Sequence, residues 1–325
     1  MYKILVFSMV FFSGMATAAD DLDAYNHFPK ISSGDINPEP GLIKYFKGMD
    51  FKCHNDLNTT PKESPEAEKA FNELIKYDSE GNRVADYWYD ANHKKKRLEL
   101  LAAAVKAGSW KAIYLDSVWA IKYPSNESPA DIASAKLGEL VSKGIPIVAY
   151  KYATYLYGRN EDSMYYLFSE AIKRGNPNAM AWVGSVIAAR ANELHPLGEK
   201  LLECAVGQNY AEAYKALGVL AFNDGRRLDA YHLWAKGINK GCNECVNKMS
   251  NLARVRSGYA PHIPQMELMP ELKAIKEFYD DNFFYELTEL PELSRGNLPD
   301  KMKFHLKDSE LLNLLKLERE SLTQY

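Results

Sequence analysis

The residue types that most often carry out chemistry are scattered along this chain. The seven histidines have no metal-ligand spacing; they are His27, His54, His93, His195, His232, His262 and His305. The acidic pairs Glu161-Asp162 and Asp280-Asp281 suit solvated surface, because adjacent residues on a helix point in different directions. No motif for a serine nucleophile, a zinc protease or a phosphate-binding loop occurs. We therefore expect no catalytic residue, no metal and no cofactor, and the chain is not expected to be an enzyme.

Four cysteines are the remaining candidates for chemistry: Cys53, Cys204, Cys242 and Cys245. The last two enclose only Asn243-Glu244, a spacing that suits a local disulfide or a redox pair. Redox enzymes place such a pair at a helix start after a strand, and no strand pattern precedes this one. In an oxidising compartment four cysteines have three possible pairings. The sequence leaves these pairings open, together with buried free thiols.

Charge composition excludes two classes of partner. The chain has 40 basic and 43 acidic residues, which gives a formal net charge of −3 at neutral pH. A slightly acidic chain with mixed charges has no electrostatic reason to bind nucleic acid or an anionic membrane. A protein partner is the remaining expectation.

The N-terminus has the pattern of a secretory signal peptide. Lys3 precedes an apolar run over 4–12, and Ala16-Thr17-Ala18 supplies a small-residue exit. The run is too short to cross a bilayer, which needs about 20 apolar residues. We expect cleavage after Ala18 or Ala19, no membrane insertion and a soluble periplasmic protein.

The elements that must position any functional residue follow a repeat. Its turn residues recur every 31 to 36 positions, at Gly108, Gly144, Gly175, Asn209 and Gly241. Glycine and asparagine reach the left-handed conformation that often ends a helix. Three positions around each turn residue carry mostly small residues: the fourth before it, the fourth after it and the ninth after it. Between the turns, apolar residues have helical spacing. The pattern predicts stacked pairs of antiparallel helices, roughly 12–15 residues each.

Three segments resemble a known repeat. Ala-Met-Ala-Trp-Val-Gly-Ser-Val-Ile (179–187) and Ala-Tyr-Lys-Ala-Leu-Gly-Val-Leu-Ala-Phe (213–222) are similar to the first helix of Sel-one-like repeats. The segment 227–238 resembles the helix that follows. The match covers 98–257, about half the chain. The resemblance implies an all-α, right-handed α/α solenoid.

The flanks of the repeats divide the chain into four parts. We predict a signal peptide over 1–18, an irregular N-terminal arm over 19–63, the solenoid over 64–257 and a C-terminal capping segment over 258–325. Ser64-Pro65 is a strong helix start. In the capping segment, helices are expected over Glu271–Leu287 and Ser309–Leu322.

The region ahead of the repeats carries a second resemblance. Phe51-Lys-Cys-His-Asn, followed by Ser64-Pro-Glu-Ala-Glu-Lys-Ala, is similar to an opening found in bacterial families that also contain Sel-one-like repeats. Some members of these families are encoded beside type VI secretion phospholipase effectors and are taken as their immunity proteins. The resemblance therefore implies that the partner is a secreted, lipase-like toxic effector.

Aromatic residues between 150 and 182 provide the candidate contact surface. Tyr152 and Tyr155 have the spacing of core residues, whereas Tyr150, Lys151 and Trp182 fall on the other side of their helices. Exposed Tyr and Trp often anchor protein interfaces. We predict that these three residues bind the partner.

Three functions are compatible with such a chain. The leading one is a periplasmic protein-binding solenoid that acts as an immunity protein; the alternative is a periplasmic scaffold or regulatory protein of an envelope complex. An enzyme like the cysteine-rich, penicillin-binding members of the repeat family is disfavoured, because those members carry a regular cysteine pair in each repeat.

Overall fold

The chain folds into an array of α-helices. A computed structural model describes residues 40–81, 90–122, 130–190, 192–251, 270–282, 300–307, 309–312 and 315–316. The predicted signal peptide over 1–18 and the first half of the arm lie outside these residues. The described residues form helices, turns and loops and no β-sheet. The predicted all-α solenoid is confirmed.

The helices follow one another as antiparallel hairpins. In chain order they are α1 (Pro40–Phe46), α2 (Pro65–Gly81), α3 (Ala91–Lys106), α4 (Trp110–Lys122), α5 (Ala130–Ser142), α6 (Pro146–Leu156), α7 (Glu161–Lys173), α8 (Pro177–Arg190), α9 (His195–Gly207), α10 (Ala211–Asn223), α11 (Arg227–Asn239), α12 (Asn243–Asn251) and α13 (Pro270–Asn282). Short 3₁₀ turns cover Asp56–Asn58, Asn192–Leu194 and Asp300–Met302. The even-numbered helices α2 to α10 are the first helices of hairpins, and each packs on the helix that follows it.

The predicted turn residues end the second helix of successive hairpins. All five have positive φ angles, from 61° to 95°: Gly108, Gly144, Gly175, Asn209 and Gly241. At one of them, the Gly175 N–H donates to Ile172 O (2.9 Å) and the Asn176 N–H donates to Ala171 O (3.0 Å). These bonds satisfy carbonyls that a helix end leaves without partners. The repeat register deduced from the sequence is confirmed.

The small residues of the repeat allow close helix packing. A β-carbon added to Gly184 of α8 would lie 2.9 Å from the carbonyl oxygen of Gly198 in α9. The reverse contact, from Gly198 to the carbonyl oxygen of Gly184, is also 2.9 Å. The two backbones therefore approach more closely than any side chain would permit.

Apolar side chains form three clusters along the solenoid. The first cluster contains residues of α2 through α6. The second contains residues of α1 and of α6 through α10. The third contains residues of α10 through α12 and of the C-terminal segment. Leu272, Phe304 and Leu311 are buried in the third cluster. Asn239 fixes this segment by two hydrogen bonds of 2.8 Å, to Phe304 O and from Phe304 N. The C-terminal segment thereby covers the apolar end of the array.

Helix starts in the flanks agree with local capping rules. The Ser64 hydroxyl accepts from Ala67 N at 3.2 Å, as expected for the residue before α2. Asp90 caps α3, and hydrogen bonds from His93 N and Asn92 N lower the pKa of its carboxyl. Helix α13 ends at Asn282, and the rest of the predicted helix to Leu287 lies outside the described residues.

The N-terminal arm is more ordered than the sequence suggested. Residues 40–46 form helix α1, which an irregular arm would not contain. Leu42 and Phe46 are fully buried, and the Phe46 ring meets the Tyr165 ring of α7 edge-on with centroids 6.2 Å apart. The prediction missed this helix because the surrounding Pro, Gly and Asn residues hide one pair of apolar residues at i and i+4.

Candidate binding groove

Two disulfides account for all four cysteines. Cys53 in the arm pairs with Cys204 in α9, across 151 residues of sequence. Cys242 and Cys245 form a local bridge at the start of α12, and both are completely buried. The structure thus selects one of the three pairings that the sequence left open, and the local pair is part of the core.

Buried polar contacts hold the arm against the turns between hairpins. Asp56 is 0% exposed and accepts a hydrogen bond from Asn176 Nδ2 at 3.1 Å. The Gln208 amide donates to His54 O and to Gly175 O, each at 2.9 Å. One arm segment is therefore bonded to the turns after both α7 and α9.

The arm also covers the outer sides of the second helices. The Lys44 ammonium and the Tyr45 hydroxyl both donate to the Asp162 carboxylate, which lowers the pKa of that carboxyl. Phe51 is buried beside α9, with the Lys200 ammonium 5.2 Å from its ring centroid. We call the surface formed by α7, α9 and the attached arm the arm face.

The first helices of the same hairpins line an open groove on a different side. Its volume is about 450 Å³. It is formed by α6, α8, α10 and α12 together with the turn before α10. Its lining residues are Tyr150, Asn178, Ala181, Trp182, Ser185, Ala188, Tyr210, Glu212, Lys215, Ala216, Val219, Leu220, Asn223, Glu244 and Lys248. We call this surface the groove face.

Aromatic side chains form one end of the groove. The Trp182 ring stacks on Phe168 with centroids 4.3 Å apart and an interplanar angle of 16°. Tyr150 contacts the same Phe168 ring at 6.0 Å, and Tyr157 meets Trp182 edge-on at 6.3 Å. Phe168 is fully buried, so the core fixes the positions of both groove aromatics.

Two of the three predicted contact residues thus meet in the groove. Tyr150 and Trp182 line it, whereas Lys151 lies outside its lining. Tyr152 and Tyr155, expected in the core, are half-buried and stack on one another at 6.3 Å.

The other end of the groove is polar. Glu212 and Lys215 of α10 form an ion pair of 3.4 Å. Removal from water raises the pKa of the Glu212 carboxyl, the negative charge of Glu244 raises it further, and Lys215 opposes the increase. Asn178 is 6% exposed, and its side-chain oxygen has no hydrogen-bond partner among the described residues. The groove therefore combines aromatic rings with a buried, unpaired amide oxygen and a partly exposed ion pair.

Solved structures with the same architecture identify the fold. Immunity protein Pa5087 from Pseudomonas aeruginosa is similar with a TM-score of 0.55 and 18% identity, over 72% of this chain and 89% of that protein. Immunity protein PA5088 from the same organism is similar with a TM-score of 0.54 and 20% identity, over 71% and 88%. This chain has the fold of these immunity proteins.

A third Pseudomonas aeruginosa structure, PA5086, agrees with this result. Its TM-score is 0.55 at 18% identity, over 77% of this chain and 95% of that one. No protein-family model matches the sequence, and no curated protein is significantly similar to it. The match to an immunity-protein fold agrees with both resemblances drawn from the sequence.

Among the residues that the structure describes, His, Cys, Asp and Glu side chains do not gather into a metal site. The described part of the chain contains no group of three or more His, Cys, Asp or Glu residues that could hold a metal ion. None of the described helices is long and apolar enough to cross a membrane. Within these residues, the groove is the candidate binding surface.

Sequence reasoning missed the polar half of this groove. Asn178, Glu212 and Glu244 each lie three positions after a turn residue. Trp182 and Lys248 each lie seven positions after one. The groove therefore consists of equivalent positions in successive repeats, and the aligned sequence already contained that signal. The aromatic residues alone indicated only one end of the groove.

Proposed function

We propose that this chain is an exported immunity protein that binds a toxic effector through the groove face. The single observation that carries the proposal is the contrast between the two surfaces. The second helices are covered by the arm, whereas the first helices present half-buried aromatics in an open groove. An open face of a helical repeat array is the surface that such proteins commonly use for partners.

The composition of the groove supports a protein partner. Its aromatic and small apolar lining, with charged residues at one end, has the chemistry of a protein interface. Stable complexes bury about 1,200–2,000 Å² in total. The partner must therefore extend beyond the groove onto neighbouring first helices and exposed residues such as Tyr157.

The disulfides and the N-terminal sequence support a periplasmic location. Disulfides persist in oxidising compartments and are rare in the reducing cytosol. Cys53–Cys204 attaches the arm to the solenoid, so a complete fold requires oxidation. The signal-peptide pattern over 1–18 supplies a route to such a compartment.

The proposed effector is a type VI secretion phospholipase-like toxin. Its class comes only from the resemblance of the segment beginning at Phe51, whereas the shared fold with two immunity proteins supports the immunity role. We propose a one-to-one complex in which this chain blocks the effector's active site or its access to lipid.

The test is a co-expression experiment with the neighbouring open reading frame. That frame is directed to the periplasm in cells that express either the full chain or a vector control, and viable counts are measured. We expect the neighbour to kill control cells and the full chain to restore growth. A neighbour that is harmless alone, or that kills equally in both strains, would favour the scaffold function instead.

A further inference from the structure

The arm is hydrogen-bonded to the turn from which groove helix α8 begins. Asn176, the residue before α8, is fully buried. Its side-chain oxygen accepts from Ala179 N at 2.9 Å, as expected at a helix start, while its amide nitrogen donates to Asp56 Oδ2 of the arm at 3.1 Å. Asn178, two residues further on, lines the groove. One side chain therefore caps a groove helix and holds the arm.

A second side chain joins the arm to the starts of two groove helices at once. The Gln208 amide, in the turn before α10, donates to His54 O of the arm and to Gly175 O of the turn before α8, each at 2.9 Å. Gln208 is only 8% exposed, so water does not readily replace these bonds. Tyr210, two residues later, lines the groove. The relative position of α8 and α10 at this end of the groove is therefore fixed together with the arm.

The disulfide beside these contacts is the covalent part of the attachment. Cys53 is exposed, whereas Cys204 of α9 is 5% exposed, and the Cys204 sulfur lies 4.0 Å from the Gln208 amide nitrogen. The ion pairs that Lys44 and Lys47 of the arm form with the solenoid are open to solvent, and such pairs contribute little to stability. The bridge therefore holds the segment after Cys53 more firmly than these ion pairs do.

The other disulfide lies in a different environment. Cys242 and Cys245 are both 0% exposed and belong to the third apolar cluster. Thiol–disulfide exchange requires that a thiolate reaches a bridge sulfur. A dithiol in solution should therefore reduce the bridge of the arm and leave the buried bridge intact.

We propose that the Cys53–Cys204 bridge makes the shape of the groove redox-sensitive. A dithiol reduces the bridge in two exchanges: one thiolate attacks a bridge sulfur to form a mixed disulfide, and the second thiol then closes the reagent's own disulfide. The chain gains two thiols with their protons, and the dithiol is oxidised. The segment after Cys53 is then released, so Asn176 and Gln208 lose their partners in the arm and the first turns of α8 and α10 loosen.

The consequence is a groove that binds its partner tightly only in the oxidised chain. The inference rests on the proposed function in one respect, since it takes the groove as the partner's site. It adds that binding depends on a bridge that does not itself line the groove.

The first measurement tests which bridge a dithiol reaches. The full mature chain is treated with dithiothreitol under native conditions, and free thiols are alkylated with iodoacetamide and located by peptide mass spectrometry. We expect Cys53 and Cys204 to be alkylated roughly tenfold faster than Cys242 and Cys245, because buried sulfurs react slowly.

The second measurement follows the groove without any knowledge of the effector. The indole N–H signal of Trp182, assigned with Trp182→Phe, is recorded by NMR before reduction, after reduction and after reoxidation. Trp119 of α4, outside the groove lining, serves as the internal control. We expect a reversible shift of the Trp182 signal and an unchanged Trp119 signal, with the helical circular dichroism retained.

Matched variants assign the response to one bridge. The double variant Cys53→Ala, Cys204→Ala should show the reduced position of the Trp182 signal and should not respond to dithiothreitol. The double variant Cys242→Ala, Cys245→Ala should respond as the parent does. Gln208→Ala should displace the Trp182 signal even with both bridges intact, because it removes the amide that joins the arm to the two turns.

The last measurement concerns the partner. Calorimetric titration of the neighbouring gene product into the oxidised and the reduced chain should show affinity that is about tenfold weaker or more after reduction.

Each outcome decides the inference. A Trp182 signal that stays in place after reduction, an equal shift of Trp119, or equal effector affinity of the oxidised and reduced chains would overturn it. A reversible Trp182 shift combined with a neighbouring gene product that neither kills nor binds would leave the redox-sensitive groove standing and reject the proposed effector. Protection from the neighbour without a Trp182 response would do the reverse.

Discussion

The two helices of each middle hairpin face different environments in this molecule. The second helices α7 and α9 lie under the chain's own arm, where Leu42 and Phe46 are fully buried. The first helices α6, α8, α10 and α12 line a groove that the described part of the chain leaves open. The same repeat thus stabilises the fold with one face and presents side chains with the other.

Several buried polar groups on the arm face are well paired. On the arm face, buried Asp56 is bonded to Asn176, and the Gln208 amide has two carbonyl partners. On the groove face, the Asn178 oxygen lacks a partner within the described residues. Unpaired buried oxygens are not confined to the groove, because Glu63 Oε2 of the arm also lacks a partner within the described residues.

The largest expected difference concerns the two disulfides. Changing Cys53 and Cys204 together to Ala should cost about 3–5 kcal/mol of unfolding free energy, because their bridge closes a loop of 151 residues. Changing Cys242 and Cys245 to Ala should cost only about 1–2 kcal/mol, since that loop is very short. Chemical denaturation measures both. Equal losses of unfolding free energy in the two double variants would mean that attachment of the arm contributes little to the stability of the arm face.

A second comparison uses two glycines with the same backbone conformation. Gly108 and Gly175 have φ angles of 84° and 87°. A β-carbon at Gly108 meets no heavy atom within 4 Å, whereas one at Gly175 would lie 2.7 Å from His54 O. Gly108→Ala should therefore lower the free energy of unfolding by about 1–2 kcal/mol, because alanine is strained in the left-handed conformation. Gly175→Ala should cost about 2–4 kcal/mol, because the arm must also move.

The pair of glycine variants isolates attachment of the arm. Thermal unfolding gives the difference in stability, and limited proteolysis reports whether the arm has detached. If the two variants unfold alike and resist protease equally, then the arm does not press on the turn as described.

Binding should depend on the groove face. Trp182→Ala should weaken the complex with the proposed effector by about 2 kcal/mol or more, as expected for a central aromatic residue. Tyr166→Ala removes an aromatic that is 51% exposed and packs on Tyr45 of the arm, and it should change affinity by less than about 0.5 kcal/mol. Calorimetric titration measures both affinities.

Two refinements sharpen this test. Because Trp182 stacks on Phe168, Trp182→Phe is included as a variant that retains an aromatic ring against the core. Lys151→Ala, outside the groove lining, should behave like Tyr166→Ala. A larger effect at Lys151 than at Trp182 would move the interface away from the groove.

The smallest effects are expected from pH, and they have opposite signs on the two faces. Lys44 and Tyr45 lower the pKa of Asp162, so its contribution to stability is present above the unfolded pKa and is lost as pH falls through the folded value. Removal from water raises the pKa of Glu212, so its ionised form is unfavourable at neutral pH. That penalty is relieved as pH falls through the raised folded value and is gone below the unfolded one.

Carboxyl NMR titrations should therefore place Asp162 below and Glu212 above the ordinary range. At neutral pH, Asp162→Asn should unfold at slightly lower urea concentration than wild type and Glu212→Gln at slightly higher. The Glu212 difference should disappear as pH falls to about 4, below the ordinary glutamate pKa, whereas the Asp162 difference should persist there and shrink only at lower pH. A shift of the same sign for both residues would contradict the proposed difference between the faces.

The repeat itself was readable from the sequence because its constraints are local. A left-handed helix end restricts the residue at Gly175 or Asn209, and close helix packing restricts the residue at Gly184. Tyr150 and Trp182 could be placed by helical spacing from those turns. Local rules therefore predicted the fold and the aromatic half of the groove.

The arm could not be predicted in this way, because its contacts join residues that are far apart in sequence. Nothing near Asp56 indicates Asn176, and nothing near Cys53 selects Cys204 over the other two cysteines. The unpaired oxygen of Asn178 is equally invisible in the sequence, since pairing depends on every neighbour in space. Such features require the three-dimensional structure.

The path of the arm also bears on how this gene can change in length. Repeat arrays commonly gain or lose whole units, because each unit contacts only its neighbours. Here Glu63 bonds to Ser109 in one turn, while His54 bonds to Gln208 several turns further along. An inserted hairpin would separate those anchor points by about 10 Å, the spacing of packed helices. We therefore expect a duplication between these anchor points to break the attachment of the arm, and a duplication beyond Gln208 to leave it intact.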